Sequence, residues 1–291
     1  MTFRKKSTRR IVLAVLLASA LVYILPLLIV FTNSFMSPGE VLRHYRDEYD
    51  AFDWALQGNV HYVEYALIPD KISLGQYDTL LFQSPMYLDL FLNSLKLTLP
   101  TVAMQLVLGA TAAYGFTIWK SPWREPLFCG YIVLMVLPFQ ATLVANYLTA
   151  DRLNLLNTHW SIILPLGFSP LPVFILRQGM KGIPDSVREA AMLDGCNHWQ
   201  LFSKIVLPMC RSALAAVLIL GFADCWAMVE QPLIFLKDAS LEPLSVTLSD
   251  ISQGNMGLIF AASVFYMPPV VWLFLYEQDA FEEGIQLSSL K

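Results

Sequence analysis

Glu189, Ala190 and Ala191, with Gly195 four residues on, lie in a stretch that runs from Lys181-Gly182-Ile183-Pro184-Asp185 to Ile205-Val206-Leu207-Pro208. The chemistry these residue types allow is contact, not catalysis. Two adjacent small residues admit a close partner surface, and a carboxylate beside them fixes register against a basic group. Pro184 suits the first position of a helix, and Asp185 puts negative charge in its first turn. Gly195 suits the stop, because glycine enters left-handed backbone without a Cβ penalty. The spacing predicts a short helix, a sharp turn, and a second amphipathic helix over 198–206 that ends where Pro208 opens a long apolar run.

A second group of polar residues stands inside apolar runs: Gln140, Asn146, Ser169, Asp224, Glu230 and Gln231. Asp224 falls about twelve residues into its run, near the middle of the bilayer if the run spans one. A carboxylate there costs roughly 2.5–3.5 kcal/mol on insertion scales, so it must face protein or water. A role in a pore or gate satisfies this, and so does a hydrogen bond or ion pair within a helix bundle. Trp226, two residues on, puts an aromatic face near a hydrogen-bonding group, the pairing that sugars bind; plain packing is the other reading.

Other chemistries lack their residues. The chain has no G-x-x-x-x-G-K-[ST] loop for ATP, no H-E-x-x-H pair and no G-x-S-x-G elbow. Cys129, Cys196, Cys210 and Cys225 form no C-x-x-C pair, and His44, His61, His159 and His198 are scattered. Neither a structural disulfide nor a metal site is expected. No polybasic stripe is present, which argues against a nucleic-acid partner.

The elements that must position these residues are membrane helices. Apolar residues make up 56% of the 291 and charged residues only 14%, too little charge to wet the surface of a soluble domain. A bilayer core of about 30 Å needs about 20 helical residues. Six stretches qualify: 11–31, 95–119, 127–149, 160–176, 213–236 and 258–276. Pro165, Pro170 and Pro172 interrupt the fourth, and such breaks persist in a membrane only where protein or a wet cavity satisfies the freed carbonyls. Arg4, Lys5, Lys6, Arg9 and Arg10 followed by Ala18-Ser19-Ala20 imitate a signal peptide, but the apolar run continues to Phe31, beyond the length of a signal core.

Of the 19 Lys and Arg residues, 13 fall on the side of the N-terminus and six on the other. The positive-inside rule then puts both termini, and the stretch around Glu189, in the cytoplasm. The expected organisation is a cytoplasmic start with a first span (1–31), an acidic and aromatic external loop or cap with short helices (32–89), and a five-helix core (90–291) whose cytoplasmic loop covers about 182–208.

Glu189-Ala190-Ala191, Gly195, and then Ile205, Leu207 and Pro208 fix seven positions over twenty residues, and together they resemble the "EAA" loop of ABC importer permeases. Asn93-Ser94-Leu95, Ala112-Ala113-Tyr114-Gly115-Phe116, Leu137-Pro138 and Ile183-Pro184 are similar to the maltose-type carbohydrate branch. The stretch from Phe222 to Leu233 resembles that branch's aromatic segment, although Ala227 replaces the usual asparagine and Met228 a common acid. The resemblance covers nearly the whole chain except the external loop.

The resemblance implies an all-α membrane protein with the type I ABC importer permease fold, in the bacterial inner membrane. It implies that Glu189, Ala190, Ala191, Asp194, Gly195, Ile205, Leu207 and Pro208 belong to a coupling helix and its exit, seated on a cytoplasmic ATPase. The partners implied are a second permease subunit, two ABC ATPase subunits that hold ATP and Mg, an external solute-binding protein and membrane lipid. This chain would bind no cofactor. Import would proceed by alternating access, and the solute would be a sugar or oligosaccharide, or else a non-sugar solute of the same importer class. Gln140, Asn146, Asp224, Trp226 and Glu230 are the candidate substrate path. Gln253, Gly254 and Asn255 are candidates for docking the binding protein, or else a simple turn. An ion-coupled secondary transporter would leave the coupling loop without a purpose, and an intramembrane enzyme lacks catalytic residues.

Overall fold

The structure is a computed structural model that describes residues 6–45, 66–249 and 256–289. Every regular element among them is a helix. Four helical stretches are long and apolar enough to cross a membrane: Arg10–Asn33, Pro85–Ile118, Trp160–Lys181 and Met256–Asp279. Two bent pairs pass the same test when each is taken together, Arg124–Val136 with Gln140–Arg152 and His198–Met209 with Arg211–Trp226, which raises the number of candidate spans to six. Chain contacts divide the molecule into two compact units, Met1–Leu88 with Leu248–Pro268, and Asp89–Thr247 with Pro269–Lys291. This division falls between residues 88 and 89, and 248–268 belongs with the N-terminal unit.

In the first unit, α1 (Lys6–Asn33) packs against Met256–Tyr266. Helix α2 (Pro38–Tyr45) and α3 (Gly75–Asp78) fold onto the same Met256–Tyr266 helix. Polar groups lock this arrangement. Asn33 donates to the Tyr45 hydroxyl, Ser34 Oγ pairs with Tyr77 Oη at 2.7 Å, and the Asp70 N–H donates to buried Glu40 at 2.6 Å. Short helices occur in the described parts of the 32–89 segment, and 46–65 lies outside the described residues.

The second unit holds α4 (Pro85–Ile118), α5 (Arg124–Val136), α6 (Phe139–Arg152), α7 (Trp160–Gly167) and α8 (Pro170–Lys181). It continues with α9 (Asp185–Leu193), α10 (His198–Gln200), a π-helical segment over Leu201–Val206, and α11 (Leu207–Met209). Then come α12 (Arg211–Trp226), α13 (Glu230–Phe235) and α14 (Leu244–Ser249). After Met256–Tyr266 (α15), α16 runs Pro268–Ser289.

Small residues set the helix spacing. A Cβ on Gly179 of α8 would lie 2.7 Å from the Ala213 Cβ of α12, and one on Gly109 of α4 would lie 2.9 Å from the Pro172 Cβ.

Three expected spans differ in detail. The second is longer, because α4 begins at Pro85 rather than near 95. The fifth, expected to run unbroken to 236, stops at Trp226 and resumes as α13, because residues 227–229 leave helical geometry. The sixth breaks at Met267, ahead of Pro268 and Pro269. The residue before a proline is pushed away from helical backbone, and Pro suits the first turn of the next helix. In the fourth span, only the Pro170 site breaks the helix: α7 carries Pro165 internally and ends at Gly167.

Candidate functional site

The stretch around Glu189 is built as a rigid tip. Pro184 is extended (φ −59°, ψ 141°) and precedes the helix, so α9 starts at Asp185, one residue later than the sequence suggests. Arg188 pairs with Asp185 and donates to the Ile183 carbonyl at 3.3 Å, covering the first turn. At the other end Gly195 takes φ +86°. Its N–H donates to Met192 O and that of Cys196 to Ala191 O, both at 3.1 Å. These two bonds form a complete Schellman stop. Asn197 then caps α10 reciprocally: its Oδ1 accepts from the Gln200 N–H at 2.8 Å, and its own N–H donates to Gln200 Oε1 at 3.0 Å. This capping box was present in the sequence as Asn197-His198-Trp199-Gln200 but was not read there.

One face of the tip is anchored and the other is bare. Ala191 is buried in the same apolar cluster as Ala113 of α4, Phe128 of α5, Leu176 and Met180 of α8, and Leu201, Phe202 and Val206 after the turn. Ile205 and Leu207 pack against that cluster, whereas Pro208 is exposed. The Tyr114 hydroxyl of α4 donates to the His198 carbonyl at 3.0 Å, and its ring lies 4.9 Å from that of Phe202. A push on α9 is therefore carried into α4, α5 and α8 through close-packed side chains. The outward face holds Glu189, Ala190, Asp194 and Gly195, all exposed, with Leu193 88% exposed and Met192 and Trp199 exposed beside it.

The polar residues of the spans are not brought to one place. Asp224 is exposed on α12, two residues before that helix ends at Trp226, not midway along a continuous span. Trp226 is buried, stacked on Phe222 at 5.3 Å and edge-on to Phe91 at 5.6 Å, so it does not share a surface with Asp224. Gln140 and Asn146 both lie on α6, exposed and half-buried respectively. Glu230 opens α13 and is exposed, whereas Gln231 is buried. Gln253, Gly254 and Asn255 lie outside the described residues.

Asp224 instead meets a residue the sequence reading passed over. A cavity of about 30 Å³ is lined by Asp224, Gln105, Ser169 and Gly221, with Pro172 and Ile175 among the apolar walls. Gln105 is buried; its Nε2 donates to the Leu166 carbonyl at 3.0 Å, at the helix break that Pro170 creates. Its Oε1 is buried without a hydrogen-bond partner. Gly221 leaves room for it, since a Cβ there would lie 2.5 Å from that oxygen. The signal was a glutamine inside an otherwise apolar run. As the one charged group among the described residues lining this cavity, Asp224 is expected to matter to the solute's passage: Asp224→Ala should lower uptake about tenfold, with Asp224→Asn less affected. Solute uptake by cells with matched membrane levels of each variant measures this.

At the end of the unit opposite the tip, the loop after α13 is tied down. Asn157, in left-handed backbone (φ 58°), accepts from the N–H groups of Lys237 and Asp238 at 2.8 and 2.9 Å. Asn93 donates to the carbonyls of Ser240 and Glu242, and Ser94 Oγ accepts from the Leu244 N–H at 3.0 Å. The Asn93-Ser94 pair at the head of α4 thus fixes the loop that follows α13.

With this geometry in place, comparison with known proteins decides the family. Residues 105–275 match the family model for the inner membrane component of binding-protein-dependent transport systems. The chain belongs to this family. As an ABC transporter permease of the inner membrane, it is similar to the lactose transport system permease LacG of Rhizobium radiobacter, 30% identical over 69% of this chain and 74% of that protein. The permease is also similar to the polygalacturonan/rhamnogalacturonan transport system permease YtcP of Bacillus subtilis, 27% identical over 95% of each. Its fold matches a chain from the crystal structure of a bacterial ABC transporter that imports the acidic polysaccharide alginate. The TM-score is 0.77 at 22% identity, covering 97% of this chain and 100% of that one.

Proposed function

We propose that this permease forms half of the pore of an importer for a sugar or oligosaccharide, working by alternating access. In this reading all six candidate spans cross the membrane in the type I importer arrangement, with both termini and α9 in the cytoplasm. A second permease subunit completes the pore, and an external solute-binding protein delivers the solute to the outer loops, including Gln253, Gly254 and Asn255. ATP and Mg are held by two cytoplasmic ATPase subunits, and this chain is not itself an enzyme. The sugar class rests on what the lactose and polygalacturonan/rhamnogalacturonan permeases are named for.

The observation that carries the coupling role is Leu193. A leucine 88% exposed outside the candidate spans, at the end of a helix closed by the Gly195 stop and rooted through Ala191, is built to be covered by another protein. Glu189 and Ala190 on the exposed part of α9 set register and closeness there, Asp194 and Gly195 end the helix, and Ile205, Leu207 and Pro208 carry its movement into α12. Replacing a central apolar anchor in an interface costs about 2 kcal/mol or more, so Leu193→Asp should weaken ATPase binding about 30-fold. Copurification of the ATPase with the variant, and ATP hydrolysis stimulated by the binding protein, test this. Full hydrolysis with Leu193→Asp would remove the coupling role from α9.

A further inference from the structure

Glu125, the second residue of α5, sits among more positive charge than it neutralises. Arg177 of α8 donates to its Oε1 at 2.6 Å and lies 3.7 Å over the Phe128 ring, with only 2% of its side chain exposed. The same Oε1 has an Arg124 Nη at 3.0 Å and the Lys181 Nζ at 3.9 Å. Three cations thus converge on one carboxylate oxygen, and among the described residues no other acid pairs with any of them. Arg177 is enclosed by the fold. Arg124 and Lys181 remain reachable, with 30% and 45% of their side chains exposed, and Lys120 is exposed just upstream. Like charges this close repel unless an anion lies between them.

The surroundings say which anion. In the sequence Trp119 and Trp123 bracket Lys120 and lead into Arg124, and Trp123 is 68% exposed; exposed tryptophan collects at headgroup depth. Leaving the cluster along α5, Leu127 and Leu134, seven residues apart and so on one face, are both exposed. A cationic spot at the head of an apolar helix face has the shape of a phospholipid: a phosphate above and an acyl chain below. An acidic surface on a soluble partner would match the cations but would leave the α5 face bare.

We propose that Arg124 and Lys181, supported by Lys120, bind the phosphate of an anionic phospholipid whose acyl chain lies along α5. The site stands apart from the coupling reading, although Lys181 is only four residues before α9. Glu125 and Arg177 are positioning residues: the pair holds the ends of α5 and α8 together so that Arg124 and Lys181 face one phosphate.

The test uses the full transporter, purified in mild detergent, with its retained phospholipid extracted and quantified by mass spectrometry. The wild type should retain phosphatidylglycerol in preference to phosphatidylethanolamine. Lys120→Gln/Arg124→Gln/Lys181→Gln should lower that retention about tenfold or more, as expected for cations worth roughly 1 kcal/mol each. Lys237→Gln on the outer loop should leave it unchanged. Arg124→Lys/Lys181→Arg should restore it, which separates lost charge from lost fold, and Lys181→Gln alone should give a partial loss if the triple variant is unstable. Equal retention by the triple variant overturns the proposal. So does displacement of the bound lipid by excess inorganic phosphate without any preference for phosphatidylglycerol in nanodiscs, which would mark a free-phosphate site. Loss of ATPase copurification with lipid retention unchanged would assign the cations to a protein partner and overturn it equally.

Discussion

Gly195→Val should abolish most uptake, by about tenfold or more, while the protein still inserts and accumulates. The reason lies in the backbone and not in space. A Cβ at 195 would meet no atom within 4 Å, so no clash opposes the substitution. The φ of +86° does oppose it. Left-handed backbone costs an ordinary residue about 1–2 kcal/mol and a β-branched one more. The strain falls on the two hydrogen bonds that stop α9, from Gly195 to Met192 and from Cys196 to Ala191. Relieving it means unwinding the end of the helix that carries Leu193. The spans lie elsewhere and need not move. Gly195→Asn is the informative control, because asparagine tolerates left-handed backbone and should retain most uptake. Uptake normalised to membrane content decides this. Normal uptake by Gly195→Val would mean that the end of α9 bears no mechanical load.

Gly179→Val should fail one step earlier, in the fold itself. At Gly179, α8 packs tightly on α12, and a Cβ there would lie 2.7 Å from the Ala213 Cβ. Neither atom is the end of a flexible side chain, so the helices must separate. Overpacking a close-packed interior costs typically 1–3 kcal/mol, and valine adds two further methyl groups against α12. Separation would also loosen Met180 and Ile183, which share the apolar cluster with Ala191. We expect a fall in the purified protein's melting temperature of several degrees and a sharply lower yield. Gly179→Ala should fall in between, and Gly115→Ala, where a Cβ meets nothing, should be neutral. Thermal unfolding followed by size-exclusion chromatography measures all three. A Gly179→Val protein as stable as the wild type would show that this approach does not fix the spacing.

How far the sequence could be read depended on whether a feature was local. The stretch around Glu189 was legible because its signals are backbone rules: Pro184 ahead of the helix, Asp185 in its first turn, and Gly195 in the only conformation that completes its stop. Spans were legible from apolar length, though their ends were not. The break at 227–229 carries no proline or glycine, and α4 begins at Pro85, ten residues before its most apolar part. What could not be read were pairings between distant helices. Arg177 is one of many Lys and Arg residues in the sequence, and only the fold puts Glu125 and Phe128 beside it. Gln105 lies inside an apolar run, and only the fold brings it to the Leu166 carbonyl of another helix and to the cavity beside Asp224. Asp224 and Trp226, in turn, point to different surroundings, because residues two apart on a helix do not share a face.

In the function we propose, α9 lies on the cytoplasmic side and is covered there by an ATPase. Leu193→Cys, with Cys129 and Cys196 changed to Ser, provides a single exposed thiol to test it, since Cys210 and Cys225 are buried. A membrane-impermeant maleimide should leave this thiol unlabelled in intact cells and label it in inverted vesicles stripped of ATPase, with labelling lost when the ATPase is restored. Labelling of intact cells, or labelling of inverted vesicles that the ATPase does not reduce, would contradict the account.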